Sequence, residues 1–308
     1  MSETTQRDFL DPAVLGRLLS LPLNARSPML GNVAGRHRSP VKGSSLEFAQ
    51  YRKYVPGDDT RRLDWRTWGR TDRYYIKEFE ADTNLRLCLI ADTSGSMDYE
   101  TGGTESPMSR LQMVRQLSGS LAYLAAHQGD AVGIYSGARG VEEEIPPRRG
   151  PSHLGVVLDQ IGSLAAGGET NLVAAMHEAA EKIPSRALIA IFSDLLFDPE
   201  PMREALQHLR FRKHDVALFH LLDRQEVDFE FDRPTRFVDL EGGPALLADP
   251  SLIEKPYREA VGNYLAQIDE IVSQLAIDYH RVWLDEPHDQ ILARFLIGRT
   301  PRTAKRNG

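Results

Sequence analysis

The 308-residue chain has a single cysteine, Cys88, so it can hold neither an internal disulfide framework nor a multi-cysteine zinc or iron–sulfur site. Long apolar runs are missing as well: the stretch from Leu15 to Leu23 is broken by Gly16, Arg17, Ser20 and Pro22. No membrane span and no export signal are expected, and with one thiol the expected compartment is the cytoplasm. A basic excess is lacking: 37 Lys and Arg stand against 44 Asp and Glu, a net charge of −7. No global field therefore draws the chain to nucleic acid or anionic lipid. The sequence also has no G-x-S-x-G elbow, Walker lysine loop, G-x-G-x-x-G fingerprint or H-E-x-x-H pair. Ordinary hydrolase, nucleotide triphosphatase, dinucleotide and zinc-protease readings fall away.

What remains is ordinary globular material, 41% apolar and 26% charged, long enough to bury a core without staples. The charge is unevenly spread. Residues 1–84 hold 14 basic and 11 acidic side chains and the remainder 23 and 33, a mildly basic leader on an acidic body. Residues 1–42 read as a flexible N-terminal arm, with a short helix opened by Asp11-Pro12. Residues 43–84 read as an aromatic, β-rich extension in which Phe48, Tyr51, Tyr54, Trp65, Trp68, Tyr74, Tyr75 and Phe79 alternate with Arg and Lys. A turn is expected at Pro56-Gly57.

From Leu85 onward, short apolar runs alternate with segments of helical period. The runs ending at Asp92 and at Ser193-Asp194 read as buried central strands. This rhythm predicts an α/β fold: a three-layer, Rossmann-like sandwich with a mainly parallel sheet and one antiparallel edge strand. The domain spans 85–299 with an insertion near 225–253, and 300–308 reads as a disordered tail.

In such sheets, sites form beyond the carboxyl ends of the strands. Asp92-Thr93-Ser94-Gly95-Ser96 follows the first strand in a D-x-S-x-S pattern, Asp194 ends another, and Gly167-Gly168-Glu169-Thr170-Asn171 supplies a glycine-rich helix entry. Two carboxylates and three hydroxyls, without imidazole or thiolate, are hard oxygen donors suited to Mg²⁺, with Mn²⁺ or Ca²⁺ next, rather than Zn²⁺. Two aspartates neutralise a dication, so an open position would still attract an incoming carboxylate or phosphate.

These pieces resemble the metal-ion-dependent adhesion site of von Willebrand factor A domains: Asp92, Ser94 and Ser96 in the first loop, Thr170 in the second and Asp194 in the third. The flanks are similar to the "domain of unknown function fifty-eight" family, through Glu47-Phe48, Tyr51-Arg52, Tyr54, Pro56-Gly57-Asp58-Asp59, Arg61 and Leu63-Asp64-Trp65, and through Ile277-Asp278-Tyr279 to Phe295–Arg299. That resemblance implies a non-enzymatic binding module. The metal would be held by Asp92, Ser94, Ser96, Thr170 and Asp194 and would bridge to an acidic residue of a partner. The implied partners are a MoxR-type AAA+ ATPase and a client protein whose complex is being matured. Family members often carry membrane spans near the N-terminus, which this sequence lacks.

Two competing readings are weaker. A haloacid-dehalogenase-like phosphatase would use Asp92 as nucleophile with Thr170, Lys182, Asp194 and Asp198. It needs a second aspartate where this chain has Ser94, whose hydroxyl cannot shuttle a proton near neutrality. Nucleic-acid binding by the aromatic and basic stretch at 51–77 is opposed by Asp58, Asp59, Asp64 and Asp72, which leave it nearly neutral.

Overall fold

A computed structural model describes residues 7–26, 47–55, 63–71, 73–80, 85–101, 107–138, 140–169, 171–184, 186–229, 231, 233–238, 240–243 and 245–300. The chain divides into two compact units, Ala25–Leu85 and the remainder, Met1–Asn24 with Arg86–Gly308.

Helix α1 (Pro12–Leu18) opens the larger unit, with Asp11 capping the amide of Ala13 and Pro12 at the first helical position. This is the short helix expected at Asp11-Pro12 within the N-terminal arm. Val14, Leu15 and Leu18 form a buried stripe that packs on the helices described below. The rest of that arm, residues 1–6 and 27–42, lies outside the described residues, as do the Pro56-Gly57 turn and the tail from 301.

In the smaller unit, β1 (Glu47–Lys53) pairs antiparallel with β2 (Tyr75–Glu80) in a register that sets Phe48 opposite Phe79 and Tyr51 opposite Lys77. Between them lies α2 (Trp65–Thr71), a helix inside a segment expected to be β-rich. Its start is local chemistry: Asp64 accepts from the Thr67 amide at 3.2 Å and the Thr67 hydroxyl at 3.0 Å, an N-cap that outweighs aromatic strand propensity. Trp68 stacks on Tyr74 at 5.9 Å.

The larger unit continues through β3 (Arg86–Asp92), α3 (Arg110–His127), β4 (Ala131–Gly137), β5 (Glu143–Arg148), α4 (Pro151–Ser163), α5 (Leu172–Lys182), β6 (Leu188–Ser193), α6 (Pro199–Phe211) and β7 (Asp215–Leu222). Then come α7 (Arg224–Asp228), the small hairpin β8 (Thr235–Phe237) and β9 (Leu246–Ala248), α8 (Pro250–Gln274), β10 (Asp278–Trp283) and α9 (His288–Gly298). The hairpin and α7 occupy the expected insertion.

The six-stranded sheet runs β10-β7-β6-β3-β4-β5. Every neighbouring pair is parallel except β4 with β5, the antiparallel edge. Central strands are buried on both faces, as parallel sheets require. On one face, Ile189 and Ile191 of β6 join Ile90 and Leu218 beneath α5, α6 and α8. On the other, Phe192 stacks on Phe219 at 4.9 Å, and Phe219 meets Phe295 of α9 edge-on at 5.1 Å; α1, α3 and α9 pack together. The expected three-layer α/β sandwich is present. Cys88 lies mid-strand with its thiol pushed up to about 12 by burial, an inert core group.

At the amino end of the strands, Arg299 closes the sheet. It donates to Asp278 of β10 at 2.7 Å and to Asp215 of β7 at 2.8 Å, all three side chains being buried. The opposite end carries the chemistry.

Candidate functional site

The strand order reverses beside β3, which has β4 on one flank and β6 on the other. Loops leaving β3 and β6 therefore diverge around a crevice, the place where open α/β sheets bind ligands. Asp92, the last residue of β3, is fully buried there, and so is Asp194, just past β6.

The loop after β3 folds back on Asp92. Its Oδ1 accepts from the Ser94 amide at 2.9 Å and its Oδ2 from the Ser193 hydroxyl at 2.7 Å. A short 3₁₀ turn over Gly95–Asp98 then brings Ser96 back, so that the Ser94 and Ser96 hydroxyl oxygens stand 3.1 Å apart. Gly95 is needed for this turn because a Cβ there would collide with the carbonyl of Leu240. The glycine-rich loop is tied to the same place, the Gly167 amide donating to the Thr93 carbonyl at 2.8 Å and the Gly95 amide to the Gly168 carbonyl at 2.9 Å. Thr170 itself lies outside the described residues.

Past β6, Leu195 adopts a left-handed backbone with φ 55° although it carries a side chain. Its amide bonds to the Ser193 hydroxyl at 2.9 Å, and Tyr264 of α8 donates to its carbonyl. Such a conformation persists only where neighbours hold it, and here it aims Asp194 into the crevice. The Asp194 carbonyl is fixed from behind by His220 Nε2 at 2.9 Å. A carbonyl can only accept, so Nε2 carries the proton and Nδ1 accepts from the Tyr279 hydroxyl at 2.7 Å.

Electrostatically the crevice holds more negative charge than a buried site tolerates. Burial first, and the nearby Asp194 charge second, push the Asp92 carboxyl up to about 6. Asp194 is also raised by burial, with the Arg110 guanidinium opposing the shift. Arg110, the first residue of α3, donates from Nη1 to Asp194 Oδ2 at 2.8 Å and to the Ser96 carbonyl at 3.0 Å. Its other arm pairs with Glu226 of α7.

The two hydroxyl oxygens contact each other between the buried carboxylates, so one donates and the other accepts. Adjacent oxygens around octahedral Mg²⁺ lie roughly 3 Å apart, so the hydroxyl pair and its two carboxylates fit a hard dication. The fit is qualified by Arg110, which already occupies one oxygen of Asp194. Among the described residues there is no convergence of three or more His, Cys, Asp or Glu side chains; only oxygen-rich, carboxylate-poor coordination is possible here.

Of the five expected ligands the structure brings together Asp92, Ser94, Ser96 and Asp194. Sequence reasoning missed Ser193, Arg110 and Glu226. Arg110 had a signal: a cation in the first helical turn opposes the helix dipole, which points to a carboxylate waiting nearby. Glu226 had one too, as the fourth residue of a capping box with Asp223. The residues a phosphatase would need are engaged elsewhere. Lys182 pairs at the surface with Glu144 at 2.9 Å, and Asp198 caps α6 through the Glu200 amide.

A family model described as "Protein of unknown function DUF58" matches residues 50–261. Uncharacterized proteins of Mycobacterium tuberculosis and Mycobacterium bovis are each 26% identical over 261 residues, covering 83% of this chain and 80% of theirs. Among solved structures, a conserved hypothetical protein BatB from Bacteroides thetaiotaomicron is 16% identical, covers 70% of this chain and 98% of its own, and has a TM-score of 0.46. A von Willebrand factor type A protein from Catenulispora acidiphila is 17% identical, covers 59% of this chain and 43% of its own, and scores 0.34. At those scores the fold is defined by the chain's own strand order. Among the described residues, no helix is long and apolar enough to cross a membrane.

Proposed function

The chain belongs to the DUF58 family, and we propose that it is a metal-dependent protein-interaction module without catalytic activity of its own. Asp92, Ser94, Ser96 and Asp194, with Thr170, would hold Mg²⁺. When bound, that ion supplies a positive coordination position for a carboxylate of a partner protein. The observation that carries the reading is the Ser94–Ser96 hydroxyl pair, 3.1 Å apart beside two buried carboxylates. Ser193 orients Asp92, and His220 with Tyr264 fixes the loop that presents Asp194. Arg110 tempers the negative charge of the metal-free crevice, which keeps the loops in place for the ion. The phosphatase reading gains no support from this arrangement.

The partners we propose are a MoxR-type AAA+ ATPase and a client complex undergoing maturation, on the strength of the family resemblance alone. The test is affinity purification of the tagged full chain from its own cell extract with Mg²⁺ maintained, beside EDTA and beside Ser96→Ala. The reading predicts an ATPase of that type retained only with Mg²⁺ and intact Ser96. Equal recovery under all three conditions contradicts it.

A further inference from the structure

Beside the crevice lies a cavity of about 610 Å³ that the metal reading leaves unused. Its floor is aromatic. Phe229 stacks on Phe237 at 5.9 Å, meets Phe231 edge-on at 5.0 Å and lies 4.4 Å from the Tyr257 ring. These rings brace one another, so the cavity is preformed. Its volume falls in the roughly 300–1,000 Å³ range of sites that take a ligand.

Three features decide what enters. The wall is shared: Ser96, a proposed metal ligand, also lines the cavity. The rim is apolar and wet, with Leu196, Val238, Leu240 and Leu246 each between 48% and 61% exposed; contiguous exposed apolar surface marks interaction sites. The wall also carries Arg110, 2% exposed. An anion would not be drawn in, because Arg110 is already paired with Asp194 and Glu226, and Glu226 and Glu241 line the same space.

We infer that the cavity receives a large apolar side chain, leucine, methionine or aromatic, of the partner protein, located within about three residues of the acidic residue taken at the metal site. A peptide segment offers on one chain an apolar side chain for the cavity and a carboxylate for the adjoining metal site. An extended chain advances about 3.3–3.6 Å per residue, which suits two adjoining subsites sharing the Ser96 wall. This recognition rests on the interaction-module reading and gives its partner a sequence preference.

The test uses the full chain with Mg²⁺ and three capped pentapeptides followed by ligand-observed NMR titration: Gly-Asp-Gly-Phe-Gly, Gly-Asp-Gly-Gly-Gly and Gly-Asn-Gly-Phe-Gly. Burying one aromatic side chain should tighten binding about tenfold or more. The phenylalanine peptide should therefore bind at least tenfold more tightly than its glycine counterpart. Leu246→Glu and Val238→Asp, both at exposed positions, should erase that preference while the preference for Asp over Asn survives. Equal affinity of the Phe and Gly peptides for the unaltered chain, no detectable binding of the Phe peptide, or a Phe preference untouched by both substitutions overturns the inference. If the Phe preference holds while Asp and Asn bind alike and EDTA changes nothing, the cavity stands and the metal reading is what fails.

Discussion

Arg110 donates to Asp194 at 2.8 Å with both side chains sealed from solvent, so a cation of the chain itself sits on a carboxylate of the proposed metal site. Asp194 is thus balanced by an arginine before any metal arrives, and a dication would have to share it or move it aside.

Removing that arginine exposes the relationship. Arg110→Met leaves Asp194 buried without a counter-charge, and losing one partner of a buried pair destabilises by about 3–5 kcal/mol. Mg²⁺ should then substitute for the guanidinium. Thermal unfolding with and without Mg²⁺ should show a larger metal-induced rise in Tm for the variant than for the unaltered chain. Equal rises mean that the guanidinium and the metal do not act on the same carboxylate.

Arg299 supplies the contrast at the far end of the sheet. Arg299→Met removes the buried cation that Asp215 and Asp278 share, again for a loss of about 3–5 kcal/mol. Here Mg²⁺ should change nothing, since both carboxylates lie at the amino ends of their strands. Denaturant unfolding checks the loss, and a Mg²⁺ rescue would contradict the assignment of this cluster as structural.

Gly95→Ala would push a methyl group into the Leu240 carbonyl. Overpacking of this kind destabilises by about 1–3 kcal/mol, and the displaced turn should also lose its grip on Gly168. A measured metal affinity unchanged by this substitution would show that the turn's geometry does not matter to the site.

His214 should give the fold an acid limit. Its Nδ1 accepts from the Ala187 amide at 3.2 Å, which an imidazolium cannot do, and burial depresses its pKa to about 4. The unfolded chain therefore binds more protons between about pH 6.5 and 4. Stability is fully present above that window and falls as pH drops through it, by about 2–3 kcal/mol from this group. His214→Asn keeps an acceptor without the titration, so its unfolding free energy should slope less steeply with pH across the window.

Strand ends were the most legible part of the sequence. Buried parallel strands read as unbroken apolar runs, and the acid closing each run, Asp92 and Asp194, could be placed at the carboxyl edge without coordinates. The Ser109–Gln112 capping box likewise fixes the start of α3 at Arg110. The partners within the site were less legible. Ser193 and Arg110 meet Asp92 and Asp194 across 101 and 84 residues, and no local pattern encodes such contacts. Helix α2 was hidden because a single cap, Asp64, decided against the β propensity of its aromatic neighbours.

Binding of Mn²⁺ to the purified full chain, followed by electron paramagnetic resonance and competed with Mg²⁺, tests the central claim most directly. The account predicts one ion per chain, displaced by Mg²⁺, lost in Ser96→Ala and weakened at least about tenfold in Asp92→Asn. A chain that leaves the Mn²⁺ signal free, or that binds equally well without Ser96, contradicts it.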